Sequence, residues 1–314
     1  MELNDKIRGA LVGFAFGDAM GLGTEFMTRH EVNAYYPDRL RHFSQIIRDA
    51  HRRLWKRGDY TNDTHALTVL LEDILEQGEY NLNSQARALK EFSDAAEFDL
   101  SPKIKACCAA PGFAEHPIST AHRVWQEHGF KEASNEAIQR AVLAGIIGDE
   151  NQVNEITRQL TLLTHDDTRC VSSASIVAHM VNSLLYKERE ATYDELAEIS
   201  QSIDSRTTIY LKKAFDGKIE ELEIDDEDTQ AWVRKSMSSS IWALLHSDNA
   251  ADAIYMTVDL GGDADTNASL AGAMAGIKYG FNALPEEKEK MNGYNYIVDL
   301  ADRLTEFLKT TKNL

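Results

Sequence analysis

The stretch IRGALVGFAFGDAMG, residues 7–21, decides the fold class of this 314-residue chain. Glycine recurs in it at every fourth position: Gly9, Gly13, Gly17 and Gly21. Residues at this spacing share one face of a helix. Each glycine inside a helix costs about 1 kcal/mol relative to alanine, so a gain elsewhere must offset the cost. Close approach of a second helix is the most direct gain, and the stripe therefore predicts a central, tightly packed helix.

A second stretch, ASLAGAMAGIKYG at residues 268–280, shows the same four-residue spacing of small residues near the other end of the chain. Its small residues again recur at every fourth position: Ala268, Gly272, Gly276 and Gly280. Both stretches are short and flanked by polar residues, so neither suits a membrane span. We predict that both are central helices in the core of a soluble protein.

Helix-forming residues dominate the part of the chain between these stretches. No proline occurs between Pro117 and Pro285, where Ala, Leu, Glu, Gln and Lys are abundant. Apolar residues at helical spacing predict helices in three further segments: 64–77, 171–186 and 231–246. The segment 207–211 is the best candidate strand and equally suits the start of a helix. We predict an all-α fold with a single compact multi-helix domain over residues 1–314.

The charge of the chain excludes several classes of function. It has 33 Lys and Arg against 51 Asp and Glu, a net charge of −18. Such a surface repels phosphate backbones, which excludes nucleic-acid binding through a broad basic face.

Cys107, Cys108 and Cys170 form neither a disulfide framework nor a zinc set. Without a signal peptide or a membrane span, we expect a cytoplasmic monomer that does not contact membranes.

Two segments rich in oxygen-bearing side chains directly precede predicted helices: GDYTNDT at residues 58–64 and GGDADTN at residues 261–267. One such side chain is enough to cap a helix N-terminus, yet each segment supplies at least three. Crowded carboxylates repel one another unless a cation neutralises them. Asp, Asn and Thr oxygens suit Mg²⁺, Mn²⁺ or Ca²⁺ and suit zinc poorly. The segments predict a hard-metal site, with helix capping as the alternative, and hydrolysis of a phosphate or glycosidic bond as its possible chemistry.

Five motifs, in this order, resemble the ADP-ribosylglycohydrolase family: GDAMG at 17–21 with Glu25, TNDT at 61–64, SN at 134–135 with Arg140, THDDTRC at 164–170, and GGDADTN at 261–267. The resemblance covers roughly residues 5–280, and the last motif is its most specific element. It implies an all-α fold of the ADP-ribosylglycohydrolase type, with two Mg²⁺ ions, or Mn²⁺ in some members, in a central cleft. The implied activity is hydrolysis at the anomeric carbon of an ADP-ribosylated protein or a small ADP-ribosyl compound.

The resemblance also implies roles for individual residues. The implied metal ligands are Thr61, Asn62, Asp63, Asp263, Asp265 and Thr266. The implied catalytic residues are Asp63, which would handle the proton, and Glu25, which would gate the site. The implied substrate-binding residues are Ser134, Asn135, Glu136 and His165.

The chain departs from the family pattern at several positions, including Asn62, Glu136, His65 and the segment 100–105, which stands where many relatives have a glycine-rich loop. Asn62 stands where the family usually has aspartate, and its neutral oxygen attracts a divalent cation less and cannot act as a base. Glu136 replaces a usual glycine and brings negative charge near the expected pyrophosphate. Two alternatives therefore stay open: a catalytically impaired pseudoenzyme that binds ADP-ribose or a nucleotide, and a structural helical protein whose acidic caps bind no metal.

Overall fold

A computed structural model describes residues 1–96 and 100–312, and fifteen α-helices make up most of that part. The helices are α1 (Leu3–Gly21), α2 (Arg29–Tyr35), α3 (Asn62–Gln77), α4 (Leu82–Ala95), α5 (Pro102–Ala109), α6 (Pro117–His128), α7 (Arg140–Ile147), α8 (Val153–Leu162), α9 (Thr168–Asn182), α10 (Tyr193–Ile203), α11 (Thr208–Phe215), α12 (Val233–Leu245), α13 (Ala250–Val258), α14 (Ala264–Tyr279) and α15 (Tyr294–Lys312). The described residues form no sheet, and the predicted all-α fold is confirmed.

The two small-residue stripes pack against each other, α1 on α14. A Cβ atom placed on Gly9, Gly13 or Gly17 would lie 2.1–2.3 Å from a backbone oxygen of α14. The oxygens belong, in that order, to Gly276, Gly272 and Ala268. Their descending order shows that the helices run antiparallel. Direct contact between the two backbones is the gain that offsets the cost of glycine in a helix.

Antiparallel packing brings the C-terminal end of α1 to the N-terminal end of α14. Asp18, in the last turn of α1, hydrogen-bonds the start of α3 and holds it at this end of the α1–α14 pair. Its carboxylate accepts hydrogen bonds from the backbone N–H of Thr61 at 2.9 Å and of Thr64 at 3.0 Å. Burial raises the pKa of Asp18 to about 6, although the bonds from Thr64 and Thr61 oppose the rise. Three helix termini therefore converge at one place.

The remaining helix predictions agree with the structure to within a few residues. Helix α3 starts at Asn62, two residues before the predicted segment, and ends at Gly78 in a left-handed conformation with φ of 74°. Residues 207–211 are helical rather than extended, because Asp204 caps the preceding turn by accepting from the N–H of Arg206. Among the described helices, none has both the length and the apolar character that crossing a membrane requires.

Candidate active site

The two oxygen-rich segments occupy helix N-termini because their local sequence favours turns and caps. The Thr61 hydroxyl caps α3 and accepts from the N–H of Asp63 at 3.3 Å. Before α14, Gly261 and Gly262 adopt φ of 71° and 66°, a region that strongly favours glycine. A Cβ atom on Gly261 would lie 2.2 Å from the Met27 carbonyl oxygen. The chain after α1 is therefore pressed directly against the start of α14.

The two segments, about two hundred residues apart in the chain, meet through their side chains. The Thr266 hydroxyl donates to Asp63 Oδ2 at 2.7 Å, and the Thr61 hydroxyl donates to Asp265 Oδ2 at 3.3 Å. All four side chains are buried. Each segment thus hydrogen-bonds a carboxylate of the other, which brings the predicted ligands of both segments into one cluster.

Glu25 joins this cluster from the turn that follows α1. One carboxylate oxygen each from Glu25, Asp263 and Asp265 lie within 4.8 Å of one another, and all three residues are buried. Asp63 falls outside this tightest group and is connected to it through Thr266. Ligand atoms at this spacing can share one cation.

The Glu25 side chain and backbone are both held by residues that the sequence reasoning missed. His51 Nε2 hydrogen-bonds the Glu25 carboxylate at 2.7 Å, and that bond raises the pKa of His51. The Arg52 guanidinium donates to the backbone oxygen of Glu25. Both ends of Glu25 are therefore tied to the segment that contains His51 and Arg52. No motif pointed to His51, because only the tertiary fold brings its loop to Glu25.

An open cleft of about 300 Å³ lies over the cluster. Its described lining includes Glu25, Asn62, Asp63, Asn135, Glu136, Gln139, Asp263, Asp265 and Thr266. No lysine or arginine is among the described lining residues, although five of them are carboxylates. The cleft is therefore strongly electronegative and suits a ligand that carries positive charge or binds together with cations.

Two side chains from the segment around residue 135 hold the cluster in place. Asn135 Nδ2 donates to Asp263 Oδ2 at 2.9 Å and to the Ser236 hydroxyl at 2.7 Å. Gln139 Nε2 donates to Asp63 Oδ1 at 2.5 Å. Asn135 was a predicted site residue, whereas Gln139 ends a loop, residues 134–139, that the resemblance places near the ribose and phosphates of the substrate, and its bond to Asp63 was not predicted.

The other predicted substrate-binding residues are grouped around Glu136. Glu136 lines the cleft, while Ser134 and His165 are absent from its described lining. His165 Nε2 is 2.9 Å and the Ser134 hydroxyl 2.7 Å from Glu136 Oε2. Ser134 and His165 therefore both hydrogen-bond the side chain that lines the cleft.

The Glu136 carboxylate is held in its charged form. Burial by itself would raise its pKa, but the hydrogen bond and charge of His165, with the charge of Lys103, outweigh burial and lower the pKa to about 2. Burial lowers the pKa of His165, although its hydrogen bond to Glu136 and the charge of Glu136 oppose the change. The other ring nitrogen of His165, Nδ1, is hydrogen-bonded to the Thr164 hydroxyl at 2.9 Å.

The cluster carboxylates, by contrast, are poorly compensated. Burial raises the pKa of Asp265 well above its ordinary range, and the charges of Glu25, Asp263 and Asp63 add to the rise. Burial likewise raises the pKa of Asp63 and Asp263. Asp265 Oδ1 and Gln139 Oε1 are buried without a hydrogen-bond partner among the described residues. Buried negative charge and unused oxygens together fit a hard divalent cation, because the candidate donors are all oxygen atoms.

An all-α fold with an acidic cleft at converging helix N-termini is what the sequence motifs led us to expect of a glycohydrolase. The family model described as ADP-ribosylglycohydrolase matches residues 1–313. The chain belongs to the ADP-ribosylglycohydrolase family, and it is a hydrolase.

Curated relatives and a solved structure agree with this assignment. The chain is 27% identical over 312 residues to the ADP-ribosylarginine hydrolase Tri1 of Pseudomonas putida (strain GB-1), covering 96% of this chain and 78% of that protein. It is 22% identical over 297 residues to the ADP-ribosyl-[dinitrogen reductase] glycohydrolase of Rhodospirillum rubrum, covering 90% and 89% of the two chains. A solved structure named as an ADP-ribosylglycohydrolase-related protein complex has the same fold, with a TM-score of 0.70 at 20% identity, over 98% of this chain and 99% of that chain.

Proposed function

We propose that this protein is a metal-dependent ADP-ribosylglycohydrolase that cleaves the glycosidic bond between ADP-ribose and a modified side chain. The observation that best supports this proposal is that residues 61–63 and 263–266 meet in one acidic cleft, in a chain of this family. Two Mg²⁺ ions, replaceable by Mn²⁺, are the proposed cofactors. Arginine is the favoured modified side chain, because relatives over most of the chain are ADP-ribosylarginine hydrolases.

Six residues would hold the ions. Asp63, Asp263 and Asp265 would supply charged oxygens, and Thr61, Asn62 and Thr266 would supply neutral ones. A bound divalent cation supplies Lewis acidity toward the sugar hydroxyls and water. The support for this ligand set is the raised pKa of the three buried carboxylates together with the unpartnered Oδ1 of Asp265.

Asp63 is our candidate for the group that accepts the proton of the attacking water. Its carboxylate is oriented by Gln139 and Thr266 and lines the cleft. Burial and the charge of Asp18 raise the pKa of Asp63, which makes its carboxylate a stronger proton acceptor than one with an ordinary pKa. The water oxygen would bond to the anomeric carbon, and the carbon–nitrogen bond to the guanidine would break. The leaving nitrogen would recover the proton.

Glu25, Asn135 and Glu136 would act on the substrate side. Glu25 reaches the cluster from the cleft rim and would hold the sugar in place from that side. Asn135 fixes the Asp263 carboxylate, and Glu136 presents an ionised carboxylate that can accept hydrogen bonds from ligand hydroxyls. Because Glu136 is charged, the best-fitting ligand places a hydroxyl rather than a phosphate against it.

Two measurements on matched variants test this proposal. Calorimetric titration should show Mg²⁺ binding to wild type and to Asp216→Ala, an exposed carboxylate control, but weakened binding to Asp265→Ala. Release of ADP-ribose from peptides modified at arginine or serine should require Mg²⁺ and should be lost in Asp265→Ala.

Each alternative gives a different outcome. Turnover that appears only in Asn62→Asp identifies the natural chain as a pseudoenzyme. Absence of Mg²⁺ binding to wild type supports a structural helical protein with capped helices.

A further inference from the structure

A short basic segment interrupts this acidic chain beside the cleft. Residues 48–57, RDAHRRLWKR, hold five of the 33 Lys and Arg residues but one of the 51 Asp and Glu residues. We call this segment the basic turn. Its charge is opposite to that of the chain as a whole, which carries a net charge of −18.

The basic turn lies beside the cleft and contacts two of its lining residues. The His51 imidazole bonds Glu25, and its centroid lies 5.3 Å from the ring centroid of Phe26, a lining residue of the cleft. On its other side, Leu54 and Trp55 line a second cavity of about 460 Å³. The two cavities share Asn62 as a lining residue. The basic turn is therefore at the place where a macromolecule carrying the scissile bond would meet this protein.

The conformation of the basic turn is fixed by its own cations. Arg48 donates to the carbonyl oxygens of Trp55 at 2.5 Å and of Arg53 at 3.1 Å. Arg57 Nε donates to the carbonyl oxygen of Ile46 at 3.0 Å, and Arg52 is buried and paired with Asp49. A surface ordered before binding loses less conformational entropy when a partner docks.

The cations that remain point outward without partners. Arg53 and Lys56 are exposed, and neither side chain has a hydrogen bond or ion pair among the described residues. Leu54 lies between them in the sequence and is 55% exposed, and Phe26 is 49% exposed. Arginine and aromatic side chains, here Arg53 and Phe26, are enriched in protein–protein interfaces. Exposed side chains of this kind have no evident use within the monomer.

We propose that the basic turn docks the acidic surface that surrounds the modified side chain of an ADP-ribosylated protein. This inference rests on the proposed function. The attraction is electrostatic, since a partner with acidic residues would be repelled by most of this chain and attracted at the turn. The phosphates of the nucleotide are a poorer match, because neither Arg53 nor Lys56 is among the described lining residues of the cleft. An extended nucleic acid is also a poorer match, because the overall negative charge would repel it.

The test compares substrates that differ only outside the scissile bond. Two synthetic peptides carry one ADP-ribosylated arginine, flanked by glutamates in one and by glutamines in the other, and free ADP-ribosylarginine is the third substrate. We would measure kcat/KM at about 20 mM and about 500 mM NaCl, a range over which exposed charges become screened. The proteins are wild type, Arg53→Glu/Lys56→Glu, and the control Lys187→Glu/Lys309→Glu. Both control lysines are exposed, and Lys187 lines a different cavity that contains none of the candidate site residues.

Wild type should use the glutamate peptide about ten-fold better than the glutamine peptide at low salt, and the preference should shrink at high salt. The Arg53→Glu/Lys56→Glu variant should lose the preference yet hydrolyse free ADP-ribosylarginine normally, and the control should keep it. Equal use of both peptides by wild type overturns the proposal. The proposal is also overturned if Arg53→Glu/Lys56→Glu loses as much activity on free ADP-ribosylarginine as on the glutamate peptide, because the turn would then bind the nucleotide. It is overturned as well if an oligodeoxynucleotide inhibits hydrolysis as strongly as the unmodified glutamate peptide does.

A binding measurement separates failure of docking from failure of the proposed function. If wild type hydrolyses none of the three substrates, fluorescence anisotropy with a labelled, unmodified glutamate peptide still tests the turn. Tighter binding to wild type than to Arg53→Glu/Lys56→Glu supports docking, and equal or absent binding rejects it.

Discussion

Replacing Gly13 by alanine tests the packing on which the whole site depends. The new Cβ would lie 2.3 Å from the Gly272 carbonyl oxygen, more than 1 Å inside ordinary contact of 3.4–4 Å. The obstacle is backbone, so α1 and α14 must separate by about 1 Å along their shared face. Alanine gains about 1 kcal/mol in helix propensity, while overpacking a well-packed core costs about 1–3 kcal/mol or more. With backbone as the obstacle we expect the upper end, a net loss of about 2 kcal/mol.

The assay is thermal and urea unfolding of Gly13→Ala beside the control Gly78→Ala. Nothing lies within 4 Å of a Cβ on Gly78, so this control carries only the cost of its left-handed φ of 74°, about 1–2 kcal/mol. A loss of about 2 kcal/mol should lower the Tm of Gly13→Ala by about 3 °C, because the entropy of unfolding grows with chain length. A Gly13→Ala protein as stable as wild type, or more stable, would refute the reasoning, because propensity alone would then govern the position.

Three further predictions concern the charges and thiols of the molecule. In differential scanning fluorimetry, Mg²⁺ should raise the Tm of wild type more at pH 8 than at pH 5.5, because protons compete with the metal for carboxylates whose pKa is raised. The Asp265→Asn variant should lose most of this stabilisation by Mg²⁺. The pKa of Glu136 is about 2 in the folded protein against an ordinary 4.5, so its ionisation stabilises the fold above pH 4.5 and the contribution disappears as the pH falls toward 2. Urea unfolding should therefore show wild type losing most of its advantage over Glu136→Gln between pH 4.5 and pH 2. Burial raises the pKa of Cys107 to about 12, of Cys108 to about 11 and of Cys170 well above its ordinary range, so iodoacetamide at pH 7.5 should label these thiols only after denaturation, as mass spectrometry would show.

The sequence predicted best those helices and site segments that have a local or periodic residue pattern. The stripes at residues 7–21 and 268–280 predicted two tightly packed helices, because a four-residue spacing of glycine has few other uses. The surplus of oxygens at residues 58–64 and 261–267 identified both halves of the cleft. Segment 207–211 was ambiguous because its threonines and isoleucine suit strands, and the cap at Asp204 decides the matter.

What the sequence did not reveal are contacts that arise only from the tertiary arrangement. Gln139 bonds Asp63, 76 residues away, and His51 bonds Glu25, 26 residues away. Neither residue type is distinctive at its position, so nothing local indicates the partner. The same reason explains why the hydrogen bonds of Ser134 and His165 to Glu136 were not predicted. A motif identifies which residues gather, but it does not say which of them contact one another.

The charge balance of the cluster bears on whether Asn62 disables the protein. Glu25, Asp63, Asp263 and Asp265 carry four negative charges when ionised. The N-termini of α3 and α14 supply roughly one positive charge between them, which leaves about three negative charges buried together. This excess of negative charge adds to burial in raising the pKa of Asp63 and Asp265, and a first divalent ion would reduce the excess without removing it. After the first ion has bound, about one negative charge remains to attract a second ion. With an aspartate in place of Asn62, about two negative charges would remain. We therefore expect Asn62 to weaken the second ion far more than the first, which leaves the site able to bind metal and makes its occupancy depend on the Mg²⁺ concentration.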